Sequence, residues 1–244
     1  MINYSLLIGQ KYHLKRMKHN KVSRNIEITN DVAPGAAIYS KFILEIYDLF
    51  VLGLSNTFFW QCPTKLILEF YNQHISDQHL DVGVGSGYFL DNCKFLNPNS
   101  RITLVDLNPN SIKFTARRIK RYKPTSLIAN IFQPLLLAPK SFDSIAINYL
   151  LHCLAGNNIL SKEIVFENLN ILLKDGGVLF GTTILGKGLS HNLFARQLMR
   201  VYNIKGIFGN KNDTYDDLEK ILIKHFRAYE IHVVGCVAFF VCRK

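Results

Sequence analysis

An acid followed by three alternating glycines, Asp81-Val82-Gly83-Val84-Gly85-Ser86-Gly87, is the stretch of this chain best suited to hold a ligand. The residues before it, Leu80 to Val82, read as the end of an apolar strand, and Tyr88 to Phe95 as a helix. Glycine at every second place admits positive φ and leaves no Cβ between backbone and ligand. A loop that delivers N–H groups at a helix N-terminus favours a polar or anionic partner, and Asp81 adds an acceptor for a cationic amine. A dinucleotide fold wants Gly-x-Gly-x-x-Gly. Counted from Gly83 the last of these places is Tyr88, so a nicotinamide enzyme lacks a residue it needs.

A second acid fixes the ligand class more narrowly. Arg101 to Asp106 reads as the next strand, and it closes on a carboxylate about 25 residues after Asp81,. A carboxylate there can accept from both hydroxyls of a ribose. Asp-x-Gly-x-Gly-x-Gly at one strand end, with an acid at the next, resembles the class I S-adenosylmethionine-dependent methyltransferases. The run Leu172-Leu173-Lys174-Asp175-Gly176-Gly177-Val178-Leu179 is a further recurrent feature of that family. The resemblance runs from about Thr64 to Lys244. It implies an α/β fold: a Rossmann-like, seven-stranded, mostly parallel sheet with helices on both faces and a C-terminal antiparallel hairpin. It implies S-adenosylmethionine as cofactor, held by Asp81, Gly83, Gly85, Gly87, Tyr88, Asp106, Leu107, Asn130, Ile131 and Asn148. Asn130 stands where the family often has an acid facing the adenine amine, and its carbonyl keeps an acceptor.

The remaining elements must bring these residues together. Ser126 to Ala129 reads as a third strand and Phe142 to Tyr149 as a fourth. Ser161 to Leu173 is an amphipathic helix with a glycine stop, and Val178 to Ile184 a fifth strand,. Asp216 to His225 is a last helix, and Tyr229 to Val234 with Cys236 to Cys242 a hairpin split by Gly235,. Ligands of open α/β sheets sit beyond the carboxyl ends of the strands, which places Asn148, Tyr149 and His152 near the reacting centre. His152, Tyr149 or His191 could act as general base for a neutral acceptor. Asn148-Tyr149 lacks the two prolines of the amino-group enzymes that carry Asn-Pro-Pro-Tyr. The segment 185–217 varies with substrate in this family, and Arg196 and His191 lie in it.

Residues 1–33 are a basic extension without periodicity, and 34–244 form the methyltransferase domain: cap helices over 34–76 and a Rossmann-like core over 77–244,. Tyr39, Tyr47 and Trp60 fall in the cap, where such helices contact substrate. Ile46-Tyr47-Asp48 with Ser55-Asn56 is similar to a bacterial and fungal subgroup acting on small molecules.

Composition bounds the rest. The chain of 244 residues is 48% hydrophobic and carries a net charge of +11. The five cysteines form no Cys-x-x-Cys pair, so neither a zinc site nor a disulfide framework is expected, and no metal,. No apolar run reaches the ~18 residues of a membrane span, Met1 to Gly9 lacks the order of a signal peptide, and a cytoplasmic protein is expected. The expected reaction is methyl transfer to a small-molecule acceptor, at oxygen, with the positive charge suiting an acidic one. An RNA or protein methyltransferase, favoured by +11 and the basic run at 117–123, stays open. So does a cofactor-binding module without turnover.

Overall fold

A computed structural model describes residues 55–244, apart from Leu96 and Pro98. The basic extension, the first of the cap segments, and with it Tyr39 and Tyr47, lie outside the described residues.

Helix α1 (Thr64–His74) leads into β1 (Gln78–Val82), the Gly-rich loop and the short α2 (Tyr88–Asn92). Strand β2 (Arg101–Asp106), α3 (Pro109–Arg118) and β3 (Thr125–Ile128) follow. The chain continues through β4 (Phe142–Asn148), α4 (Glu163–Leu172) and β5 (Leu173–Ile184). It ends with α5 (Leu193–Ile204), α6 (Tyr215–His225), β6 (Ala228–Val234) and β7 (Val237–Arg243). The strands join in the order β3-β2-β1-β4-β5-β7-β6. All neighbours are parallel except β7, which pairs antiparallel with both β5 and β6. This is the expected seven-stranded arrangement.

Side chains alternate between two cores, as strand pleating requires. Leu80, Ile145, Ile147, Leu179 and Phe240 face one core with Phe166 of α4 and Leu222 of α6. Leu104, Ala146, Phe180 and Phe239 face the other with Ile67 of α1, Ile112 of α3 and Met199 of α5. Helices therefore cover both faces of the sheet.

Three local readings shift. Helix α2 stops at Asn92, because Cys93 turns to an extended φ of -73° and ψ of 162°. Residues 174–177 are part of a long β5, but they loop out of the pairing: Phe142 opposes Leu173, and two residues on Ser144 opposes Val178. The segment 185–217 contains a full helix, α5. Asn192 opens it by accepting from the Ala195 N–H at 2.7 Å,, and Ala195 and Met199 supply the buried stripe.

One buried pair pins that segment to the sheet. Lys162 Nζ lies 2.7 Å from Asp213 Oδ2 and donates to the Gly209 carbonyl at 2.9 Å. Both side chains are wholly buried. Burial lowers the Lys162 pKa and raises that of Asp213, and each partner opposes the shift of the other. The Asp213 carbonyl accepts from Gly186 and Lys187 N–H groups, and Asn210 Nδ2 donates to Ile184.

Candidate functional site

Strand β1 lies between β2 and β4, where the strand order reverses. At such a switch point the loops leaving the carboxyl ends diverge and leave a crevice. The tips of β1, β2 and β4 open into one cleft. It is lined by Asp81, Gly83, Gly85, Gly87, Tyr88, Asp106, Leu107, Asn130, Ile131, Asn148 and Tyr149.

The glycine loop is built for close approach. Gly83, Gly85 and Gly87 all take positive φ. A Cβ at Gly83 would meet Leu150 Cδ1 at 2.7 Å, and one at Gly87 would meet Thr115 Cγ2 at 2.6 Å. Among the described residues a Cβ at Gly85 would meet nothing within 4 Å, and the position lines the cleft. Thr115 Oγ1 donates to the Gly85 carbonyl at 3.1 Å. Arg118 Nη1 donates to the Ser86 carbonyl at 3.1 Å, and its Nε to Asp91 Oδ2 at 2.9 Å. Arg121 reaches the same Asp91 at 2.6 Å. Burial by itself would raise the Asp91 pKa, but Arg121 and Arg118 bring it below its usual value. Two cations of the basic run at 117–123 thus brace the loop and its helix.

The two acids sit in different surroundings. Asp81 is buried, and Tyr71 of α1 donates its hydroxyl to Asp81 Oδ2. Asp106 Oδ1 accepts from the Asn108 N–H at 2.8 Å and Oδ2 from the Gly85 N–H at 3.3 Å. Burial pushes Asp106 up to about 6 against the pull of these donors, so it is mostly ionised at pH 7 and ready to accept from hydroxyls. Asn148 Oδ1 accepts from Thr182 at 3.1 Å. Its buried Nδ2 has no hydrogen-bond partner among the described residues. A buried donor without an acceptor costs about 1–3 kcal/mol, and a ligand oxygen in the cleft would remove that cost. Asn130 Oδ1 accepts from the Phe132 N–H at 3.0 Å, which leaves one lone pair for an adenine amine.

Residues 80–179 match the model of a family described as a methyltransferase domain. The demethylluteothin O-methyltransferase of Streptomyces thioluteus is 39% identical over 210 residues, covering 86% of this chain and 91% of that one. The chain belongs to the S-adenosylmethionine-dependent methyltransferases. The methyltransferase is also 37% identical over 212 residues to the physcion biosynthesis cluster O-methyltransferase of Aspergillus chevalieri, covering 86% and 95% of the two chains. The fold is shared with the N-methyltransferase NodS of Bradyrhizobium japonicum, solved in complex with S-adenosyl-L-homocysteine. There the TM-score is 0.52, the identity 18%, and the coverage 73% and 84%.

Other residues singled out in the sequence lie elsewhere in the methyltransferase. His152 is not on the cleft wall: it is 3% exposed, packs against Phe208 at 4.6 Å, and its Nδ1 accepts from the Ile184 N–H. Burial, with Lys162 nearby, pushes it down to about 3, which makes it a poor base. His191 Nε2 is tied to the Leu185 carbonyl at 2.9 Å, away from the cleft. Trp60 is buried, and its carbonyl accepts from the Cys236 N–H in the β6–β7 turn. Arg196 is exposed on α5. None of these four lines the described cleft. Ile207 and Cys153 do, and neither was singled out. Burial pushes the Cys153 thiol up to about 12. Tyr71 carries no signal of a role in the sequence, because nothing in α1 itself shows that its hydroxyl meets an acid ten residues on.

Among the described residues no helix is long and apolar enough to cross a membrane.

Proposed function

We propose that this methyltransferase transfers a methyl group to an oxygen of a small acidic acceptor, a phenol or a carboxylic acid. The observation that carries the reading is the reactive end of the cleft. Among the described residues, the wall beside Asn148 offers Tyr149 and a Cys153 held protonated, and no histidine or lysine. An acceptor that is already ionised, or nearly so, needs no strong base there. The O-methyltransferase names of both relatives support the same choice.

Bound in the cleft, S-adenosylmethionine would supply a sulfonium methyl for transfer to an acceptor oxygen, the C–O bond forming as the C–S bond breaks with its electron pair left on sulfur. The protein's own part is positioning and dryness. Asp81 would accept from the ammonium of the amino acid, and Asn148 Nδ2 would donate to an oxygen at that end. Asp106 would accept from the ribose hydroxyls, and Ile131 and Asn130 would hold the adenine. Gly85 would let the cofactor approach the backbone. Asp81, Asp106 and Asn148 would thus serve binding, and Tyr149, next to Asn148 on the cleft wall, would serve the acceptor. The five cysteines, all unpaired, suit a reducing compartment, and we assign the protein to the cytoplasm.

Purified protein given S-adenosylmethionine and a panel of phenols, enols and carboxylic acids is expected to release S-adenosylhomocysteine. O-methyl products would be identified by mass spectrometry. Methyl groups appearing only in RNA or protein, from labelled donor and cell extract, would refute the small-molecule reading. Cofactor binding without release for any acceptor would refute the enzyme reading.

A further inference from the structure

The Asp81 carboxylate is the end of a buried chain of polar side chains. Ser76 N–H donates to Ser144 Oγ at 2.9 Å. Ser144 Oγ lies 2.8 Å from His79 Nδ1, and His79 Nε2 lies 2.9 Å from the Tyr71 hydroxyl. That hydroxyl reaches Asp81 Oδ2. Ser144, His79 and Tyr71 are each wholly buried.

With Asp81 ionised, the links fix the proton positions from the carboxylate back to His79 Nε2. A carboxylate only accepts, so Tyr71 donates to it, and the phenol oxygen must then accept from His79 Nε2–H. Nδ1 is held at Ser144 Oγ, whose oxygen also takes the Ser76 N–H. The ring is thus pinned at its other nitrogen by a serine on the neighbouring strand β4, opposite His79 in the sheet. The chain runs across β1 from its far side to the ligand end. Its members do not line the cleft, apart from Asp81.

We propose that Tyr71, oriented by His79 and Ser144, is the positioning residue for the ammonium-binding carboxylate. With Oδ2 engaged, Asp81 cannot turn about its terminal torsion without breaking a buried bond. The same oxygen therefore always faces the incoming amino group. This preorganisation lowers the ordering cost of binding. The inference rests on the reading of Asp81 as the ammonium site. It differs from a packing role because Tyr71 stacks on Phe89 and meets Phe180 edge-on through its ring, and a phenylalanine keeps both contacts.

The test compares two ligands by calorimetry: S-adenosylhomocysteine, which carries the amino acid, and 5′-methylthioadenosine, which does not. Tyr71→Phe is expected to weaken the first about tenfold and the second by less than about twofold. Ser144→Ala frees His79 to take the other tautomer, in which Nε2 competes for the Tyr71 proton. It is expected to give the same selectivity at about threefold, and it carries the test if the Tyr71 variant does not fold. Asp81→Asn is the control and should lose affinity for S-adenosylhomocysteine selectively. If it does so while Tyr71→Phe leaves both ligands unchanged, or weakens both equally, the positioning role is overturned. If Asp81→Asn itself shows no selectivity, the site reading fails and this inference with it. Unchanged binding in Ser144→Ala alone removes His79 and Ser144 from the chain.

Discussion

Gly85→Ala separates the cradle from its support. At φ +52° an alanine is strained by about 1–2 kcal/mol, but its methyl meets no atom of the described residues. The free variant should therefore melt only about 2–8 °C lower, at roughly 2–4 °C per kcal/mol for a chain of this size. Ligand stabilisation is where the loss appears. At 100 times its dissociation constant, S-adenosylhomocysteine stabilises the wild type by about 2.7 kcal/mol; a tenfold weaker variant at the same concentration gains only about 1.4 kcal/mol. The ligand-induced shift should thus fall by about half, read by thermal melts with and without ligand. Gly87→Ala is the contrast. Its methyl would press on Thr115, and positive φ and overpacking together cost about 2–5 kcal/mol, so the free protein itself melts well below the wild type. A Gly85→Ala protein with a full ligand-induced shift would refute the placement of the cofactor against this loop.

Other perturbations test the remaining parts. Because Asp106 sits at about 6 in the free protein and hydroxyl donors favour its ionised form, cofactor affinity should fall as pH drops from 7 to 5 and level off above 7. Asp106→Asn should bind weakly with a flat profile, and a sloping profile in that variant would assign the titration to another group. Lys162→Met strands the Asp213 charge in the interior and should cost about 3–5 kcal/mol in urea unfolding. Adding Asp213→Leu should recover most of it, and a single variant as stable as the wild type would show the pair to be dispensable. His152→Gln should lower stability by about 1–3 kcal/mol through the Ile184 N–H yet keep turnover within about tenfold. A fall of ~100-fold or more, with the acceptor found in the screen, would restore His152 as a base.

The convergence of the acids and glycines on one cleft was legible because its determinants are local. Asp81 and Asp106 close their own strands, and the glycines between Asp81 and the helix declare a loop that must take positive φ. The strands were legible for the same reason, through apolar runs with clear ends. What stayed hidden depends on partners far along the chain. His152 has the chemistry of a base, but its surroundings come from Ile184, Phe208 and Lys162, and only folding shows that they bury it. Arg118 and Arg121 read as a free basic face until Asp91, some thirty residues earlier, is seen to take them. Lys162 and Asp213 carry no signal of pairing across fifty residues. Helix α5 was missed because Gly186, Gly188 and Gly209 around it suggested an irregular segment, while its own apolar stripe is narrow.

The sheet order also constrains synthesis. Strand β7 follows β6 along the chain yet lies between β5 and β6, so β6 has nothing to pair with until β7 has been made. During that interval the growing polypeptide presents the whole β5 flank, Val178 to Ile184, as an open template to any neighbouring strand. Folding of this enzyme on the ribosome is therefore most exposed to aggregation just before its final hairpin emerges, after every residue that lines the cleft has been translated.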